Sequence, residues 1–193
     1  MILDVQNISK SYLDTPVLTG VSFHIEENEK TGLVGINGAG KSTLLKIIAG
    51  EETADSGIIS VGKNYRIGYQ AQNQELSSDL AVLDELLTVK AGVLELEQSL
   101  RESELQMKHL SGDALTSEMN RYARMSEEFE RKDGYALKSE AVGVLKGLGF
   151  SESEFTKCAA HLSGGQKTRL ALGKLLLSGP ELILLDEIGR AHV

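Results

Sequence analysis

Eight residues near the start of the chain, Gly35-Ile36-Asn37-Gly38-Ala39-Gly40-Lys41-Ser42, fit the pattern G-x-x-x-x-G-K-[ST], in which each residue type has a task in holding phosphate. Gly35, Gly38 and Gly40 let backbone N–H groups turn inward around an anion, and a helix starting behind them adds partial positive charge. Lys41 can reach the β- and γ-phosphates of a nucleotide, and Ser42 can hold Mg²⁺. Asn37 and Thr43 complete this set of binding candidates. The flanking pattern agrees: "KTGLVG" reads as a short apolar strand, and "KSTLLKIIAG" places Leu44, Leu45, Ile47 and Ile48 at helical spacing before Gly50. A plain glycine turn with an exposed lysine would need no such order of strand, loop and helix.

Two later stretches carry further chemistry. In "LSGGQ", Ser163 reads as an N-cap, and Gly164 and Gly165 expose the first amides of the next helix, followed by Gln166. Taken alone, this is also the form of a helix cap that binds nothing. In "LILLDE", an apolar strand over residues 182–185 delivers Asp186 and Glu187 at its carboxyl end, where open α/β sheets place their ligands. Asp186 can then reach Mg²⁺, and Glu187 can polarise an attacking water.

The elements that must position these groups follow from periodicity. Val21, Phe23 and Ile25 alternate with polar residues, as do Tyr65, Ile67 and Tyr69, and both runs are expected in antiparallel β-structure. From Leu80, leucines spread through a charged stretch predict one long amphipathic helix, which "LSGDAL" breaks. Leu115, Met119, Tyr122 and Phe129 mark a second helix, so the two form an αα-hairpin. That stripe serves either as the hairpin seam or as a ligand surface. Helices are also expected over "DGYALKSEAVGVLKGLGF" and "GGQKTRLALGKLLLSG".

Composition narrows the function class. With 41% hydrophobic and 25% charged residues, the 193-residue chain is long enough for one core and an appended subdomain. No apolar run approaches the roughly 20 residues of a membrane span, so membrane contact is expected only through a partner. A lone cysteine, Cys158, makes no internal disulfide and fits a reducing cytoplasm. The net charge of −8 argues against a surface that wraps nucleic acid. The histidines His24, His109, His161 and His192 have no metal-site spacing and are expected at the surface.

The phosphate loop, "LSGGQ" and "LILLDE", in this order, resemble the ATP-binding cassette (ABC) ATPases across nearly the whole chain. The resemblance implies an α/β fold: a phosphate-loop core, an antiparallel β subdomain and a helical subdomain. It implies ATP and Mg²⁺ as ligands, with Tyr12 stacking on adenine and Gln72 touching Mg²⁺ and the attacking water. Tyr12 has a second reading as a strand-end anchor, and Gln72 one as a solvated loop residue, with Gln70 a rival for its role. ATP in this family lies between the phosphate loop of one cassette and the signature of another, so a second cassette is an implied partner.

Within the family, 89 residues separate Gln72 from Leu162, about one helical hairpin more than in transporter cassettes. That excess, and the wording around both motifs, is similar to the first cassette of the F-type branch. Such proteins are cytoplasmic, pair two cassettes in one chain, and act on ribosomes, some protecting them from antibiotics. The hairpin, residues 80–132, would be the arm that meets the ribosome. The alternative is the nucleotide-binding subunit of a membrane transporter. Residues 80–140 hold 13 acids against 8 bases, so Arg121, Arg124, Arg131 and Lys132 are either RNA contacts at the hairpin or part of a solvated mixed-charge face. The family continues past its two acids with a turn, a strand and a switch histidine, whereas "IGRAHV" follows Glu187 here. Residues 1–187 are therefore expected to form a single incomplete cassette, inactive alone, and 188–193 a non-native tail.

Overall fold

Alternating apolar side chains build the first unit of the protein, seen in a computed structural model that describes residues 1–71 and 78–186. β1 (Leu3–Tyr12) lies at the centre of an antiparallel sheet, flanked by β2 (Thr15–Ile25) and, after α1 (Lys41–Ala49), by β3 (Ser56–Val61). Leu3 and Val5 are buried on one face. An irregular register at Gln6 and Asn7, where Asn7 takes φ +53°, returns Ile8 to that face, as a bulge does. Leu13 and Asp14 both have positive φ and close the β1–β2 hairpin in two residues, which leaves Tyr12 at its tip, paired with Thr15. Leu44, Ile47 and Ile48 bring one stripe of α1 into the same core as Leu3, Val5 and Ile8.

β4 (Ile67–Gln70) pairs in parallel with β5 (Leu182–Leu185), Ile67 opposite Leu182 and Gln70 opposite Leu185. Arg66 clamps the start of this pair: its backbone N–H donates to Glu181 Oε2 at 2.7 Å, and Nη2 meets Glu181 Oε1 at 3.2 Å. The parallel direction corrects the antiparallel expectation for Tyr65, Ile67 and Tyr69. Alternation reports that a strand is half-buried; the direction of its neighbour depends on a crossover more than a hundred residues long. A second correction concerns "KTGLVG", which forms no strand. Its backbone has no ladder partner among the described residues, and Leu33 and Val34 are 46% and 95% exposed.

The second unit, residues 78–178, is helical. It contains α2 (Val82–Leu87), α3 (Ala91–Met107), α4 (Gly112–Arg131), α5 (Leu137–Gly147) and α6 (Gly164–Ser178). The expected single helix from Leu80 is divided by a 3₁₀ turn at Thr88–Lys90. There the Thr88 hydroxyl donates to the Glu85 carbonyl at 2.7 Å, a local bond that competes with the helical ladder. α3 and α4 form the expected hairpin, with Leu100 and Phe129 buried. Met119 leaves the expected seam and is 56% exposed. Its neighbour Glu118 takes the seam position, accepting from the buried Ser103 hydroxyl at 2.6 Å.

Glu85 of α2 is buried and meets Lys174 Nζ of α6 at 2.5 Å. Burial pushes its carboxyl up, but hydrogen bonds from Lys174 and Ser78 and the Lys174 charge outweigh this and hold it below the ordinary carboxylate value. Lys174→Met should lower the unfolding free energy by about 3 kcal/mol at neutral pH, because it strands a buried charge. The stability added by Glu85 is complete above the ordinary carboxylate range and is lost as pH falls through its lowered pKa. Denaturant unfolding should therefore show the wild-type advantage shrinking on acidification; a difference independent of pH would contradict the pairing.

Candidate functional site

Gly40, the N-cap of α1, fixes how the phosphate loop enters its helix. It is buried, has φ +83°, and accepts the Leu44 N–H at 2.9 Å. A Cβ there would lie 2.8 Å from Leu18 Cδ2 and 3.0 Å from the Val17 carbonyl oxygen, so only glycine fits both the backbone and the space. Lys41 folds back over the loop, its Nζ donating to the carbonyls of Gly35 and Ile36, both at 2.9 Å. The ammonium is thus anchored on the loop it would serve. The first turn of α1 contains no acidic residue, so the helix-end charge is left for an anion. Gly35, Asn37 and Gly38 are exposed along the loop.

The next residue meets the far end of this unit. Ser42 Oγ donates to Asp186 Oδ1 at 3.0 Å, and Tyr69 Oη donates to Asp186 Oδ2 at 3.2 Å. Parallel pairing produces this convergence: Tyr69 lies opposite Leu184, and the Asp186 N–H continues the ladder to the Gln70 carbonyl at 3.1 Å. Asp186 is only 8% exposed, so each carboxylate oxygen takes a hydroxyl in place of water. Burial, then the Asp186 charge and hydrogen bond, push the Tyr69 phenol up to about 12, which keeps it a neutral donor. A serine hydroxyl beside a buried carboxylate is a hard-oxygen donor set of the kind Mg²⁺ takes when phosphates and water supply its remaining ligands. The described residues include no cluster of three or more His, Cys, Asp and Glu able to hold a metal without such help.

Tyr12, at the tip of the β1–β2 hairpin, is 44% exposed, its hydroxyl donating to Glu52. Gln72 and Glu187 lie outside the described residues, as do residues 188–193. Gln70, the rival of Gln72, is buried at the end of β4.

In the helical unit, Ser163 caps α6 as expected. The Gln166 N–H reaches Ser163 Oγ at 3.4 Å, and Gln166 Oε1 accepts the Ser163 N–H at 3.0 Å, the reciprocal pair of a capping box. Gln166 Nε2 donates to Glu154 Oε1 at 2.7 Å, while Gly164 and Gly165 stay exposed. Of the basic residues on α4 and at its C-cap, Arg121 pairs with Glu118, Lys132 with Glu128, and Arg124 donates to the Asn120 carbonyl. His24, His109 and His161 are exposed, as expected.

Sequence reasoning missed Tyr69, Lys10 and Glu52. Tyr69 carried a usable signal, since strand alternation puts it on the same face as Ile67 at the end that approaches the acids.

Known proteins resemble the chain over most of its length. The family model described as "ABC transporter" matches residues 18–189. The ATP-binding protein YdiF of Bacillus subtilis (strain 168) is 43% identical over 97% of this chain, which covers 29% of YdiF. The tylosin resistance ATP-binding protein TlrC of Streptomyces fradiae is 39% identical over 96% of the chain and 34% of its own length. ABC transporter F family member 5 of Arabidopsis thaliana is 34% identical over 95% of the chain and 27% of its own length. The chain thus spans about a third of the relatives it matches. A solved ATP-binding subunit of an ABC transporter superposes with a TM-score of 0.64 at 23% identity, over 97% of this chain and 66% of that one, which supports the fold.

Gly40 and Gly38 give a matched test of the loop, since both have positive φ but a Cβ at Gly38 would meet nothing within 4 Å. Gly38→Ala should cost about 1 kcal/mol of unfolding free energy from backbone conformation alone. Gly40→Ala should cost clearly more, because Val17 and Leu18 must also move. Equal costs in denaturant unfolding would contradict the packing described.

Proposed function

Because the chain belongs to the ABC transporter family and contains its ATP-binding domain, we propose that it binds Mg²⁺-ATP at the Lys41–Ser42–Asp186 site and hydrolyses it when paired with a second cassette. The observation that carries this reading is the bond from Ser42 to Asp186, which joins the phosphate loop to the acidic strand end. Lys41 holds the β- and γ-phosphates, while Tyr12 supports the adenine. Ser42 and Asp186, with Gln72, would hold Mg²⁺, which when bound would draw charge from the phosphate oxygens. Glu187 orients a water and takes its proton as the water oxygen bonds to the γ-phosphorus. The bond to the bridging oxygen breaks, and ADP leaves with the electron pair. The exposed Gly164 and Gly165 amides, braced by the Ser163–Gln166 capping pair, would face ATP held by the other cassette, with the Ser163 hydroxyl beside them.

We further propose that the parent protein is a cytoplasmic, ribosome-associated ATPase of the F-type branch, acting in translation or antibiotic resistance. The α3–α4 hairpin and the resemblance to an F family member and a tylosin resistance protein support this branch. The arm, residues 80–132, would contact the ribosome through the end of the hairpin. Its basic residues are largely paired with neighbouring acids, so the contact draws on few of them. A transporter subunit remains the competing reading, favoured by the fold shared with transporter ATPases.

Two experiments on the full-length protein test these roles. Glu187→Gln should retain ATP while turnover falls by about 10²- to 10⁴-fold, the usual contribution of a general base; near-normal turnover would remove Glu187 from its role. Shortening the hairpin by residues 104–119 should abolish co-sedimentation with ribosomes and leave ATP affinity unchanged. Undiminished co-sedimentation would contradict the arm assignment.

A further inference from the structure

The tip of the first hairpin holds a charged group that the proposed chemistry does not use. Lys10, two residues before Tyr12 on the same face of β1, places its Nζ over the Tyr12 ring, 5.5 Å from the centroid. Its side chain is only 14% exposed. It is held there by the Thr53 carbonyl at 2.8 Å, by Asp55 Oδ1 at 3.4 Å and by Glu52 Oε1 at 3.7 Å. Asp55 is fixed in turn, its Oδ2 accepting the Ser11 N–H at 2.7 Å. Glu52 also takes the Tyr12 hydroxyl, so one carboxylate engages both the cation and the phenol.

We propose that Lys10 and Glu52 are positioning residues that orient Tyr12 and make it a purine-selective platform. The proposal rests on the reading of Tyr12 as the residue that stacks on the base. Two physical effects carry it. Glu52 holds the phenol at its far end, so the ring is fixed before a base arrives and less freedom is lost on binding. The Lys10 ammonium lies against one ring face, which leaves the other for the base and draws electron density away from it. An electron-poor face stacks better on the larger, electron-rich purine rings than on pyrimidines. Glu52, Thr53 and Asp55 all lie in the segment that directly follows α1, so the helix that presents Lys41 and Ser42 to the phosphates also places the residues that set the platform.

The test is equilibrium titration of the full-length protein with ATP, CTP and inorganic tripolyphosphate, the last having no base to stack. Tyr12→Ala should weaken ATP by about 5- to 100-fold, the range of base stacking on an aromatic side chain, and leave tripolyphosphate unchanged. Lys10→Met and Glu52→Leu should each weaken ATP by about 2- to 5-fold, affect CTP less, and leave tripolyphosphate unchanged, which also reports an intact fold. In a Tyr12→Ala background neither should have a further effect. If Tyr12→Ala leaves ATP affinity intact, the platform reading fails and the proposal with it. If Tyr12→Ala weakens ATP while Lys10→Met and Glu52→Leu do not, the platform stands and the proposal alone is overturned. Equal weakening of tripolyphosphate by Lys10→Met would assign Lys10 to general attraction of anions and overturn the proposal as well.

Discussion

A single hydrogen bond, from Ser42 Oγ to Asp186 Oδ1 across 144 residues of sequence, is the constraint on which the rest of the site depends. It closes the gap between a glycine loop at the start of α1 and a strand end that carries an acid. Burying a carboxylate costs several kcal/mol unless both oxygens find donors. Ser42 supplies one and Tyr69 the other. The second donor exists only because β4 and β5 pair in parallel with Tyr69 opposite Leu184. Shifting that register by one residue would turn Tyr69 to the opposite face and leave the carboxylate half-satisfied.

The same logic of local exception explains how an acidic chain holds an anion. The net charge is −8, yet the first turn of α1 has no acidic residue and Lys41 is tied to the loop carbonyls. The acids nearest the nucleotide platform, Glu52 and Asp55, are engaged by Lys10, Tyr12 and the Ser11 N–H. What would bind phosphate is therefore backbone geometry and one placed cation, with the bulk charge of the chain playing a small part. The helical unit shows a parallel device. Gln166 returns its side chain to Ser163 and extends the other end of its amide to Glu154, so the exposed glycines of the signature turn are held by their neighbours.

What was legible in the sequence was local. Gly35 to Ser42 and Ser163 to Gln166 could be read because their chemistry is contained within eight and four adjacent residues. The hairpin and α1, α5 and α6 followed from periodicity alone. What escaped reading depends on distant partners. The direction of β4 is set by β5, the missing strand at "KTGLVG" by the lack of a ladder partner, and the exposure of Met119 by Glu118 claiming the seam against Ser103. Glu52 and Tyr69 look like ordinary loop and strand residues until folding brings them 40 and 117 residues across to Tyr12 and Asp186, and Lys10 does so until Thr53, 43 residues on, holds its ammonium. The break at Thr88 was local and still hidden, because a hydroxyl that bonds back to a carbonyl leaves no trace in hydrophobic spacing.

The central claim is that Ser42 and Asp186 act as one unit in holding Mg²⁺ with the nucleotide. The most direct measurement is a double-mutant cycle in the full-length protein, using Ser42→Ala, Asp186→Asn and both together. The readout is the gain in ATP affinity produced by Mg²⁺ over a chelator. Each single variant is expected to lose most of that gain, and the double variant to lose no more than the larger single loss. Losses that simply add, or a Mg²⁺-dependent gain that survives in the double variant, would contradict the account.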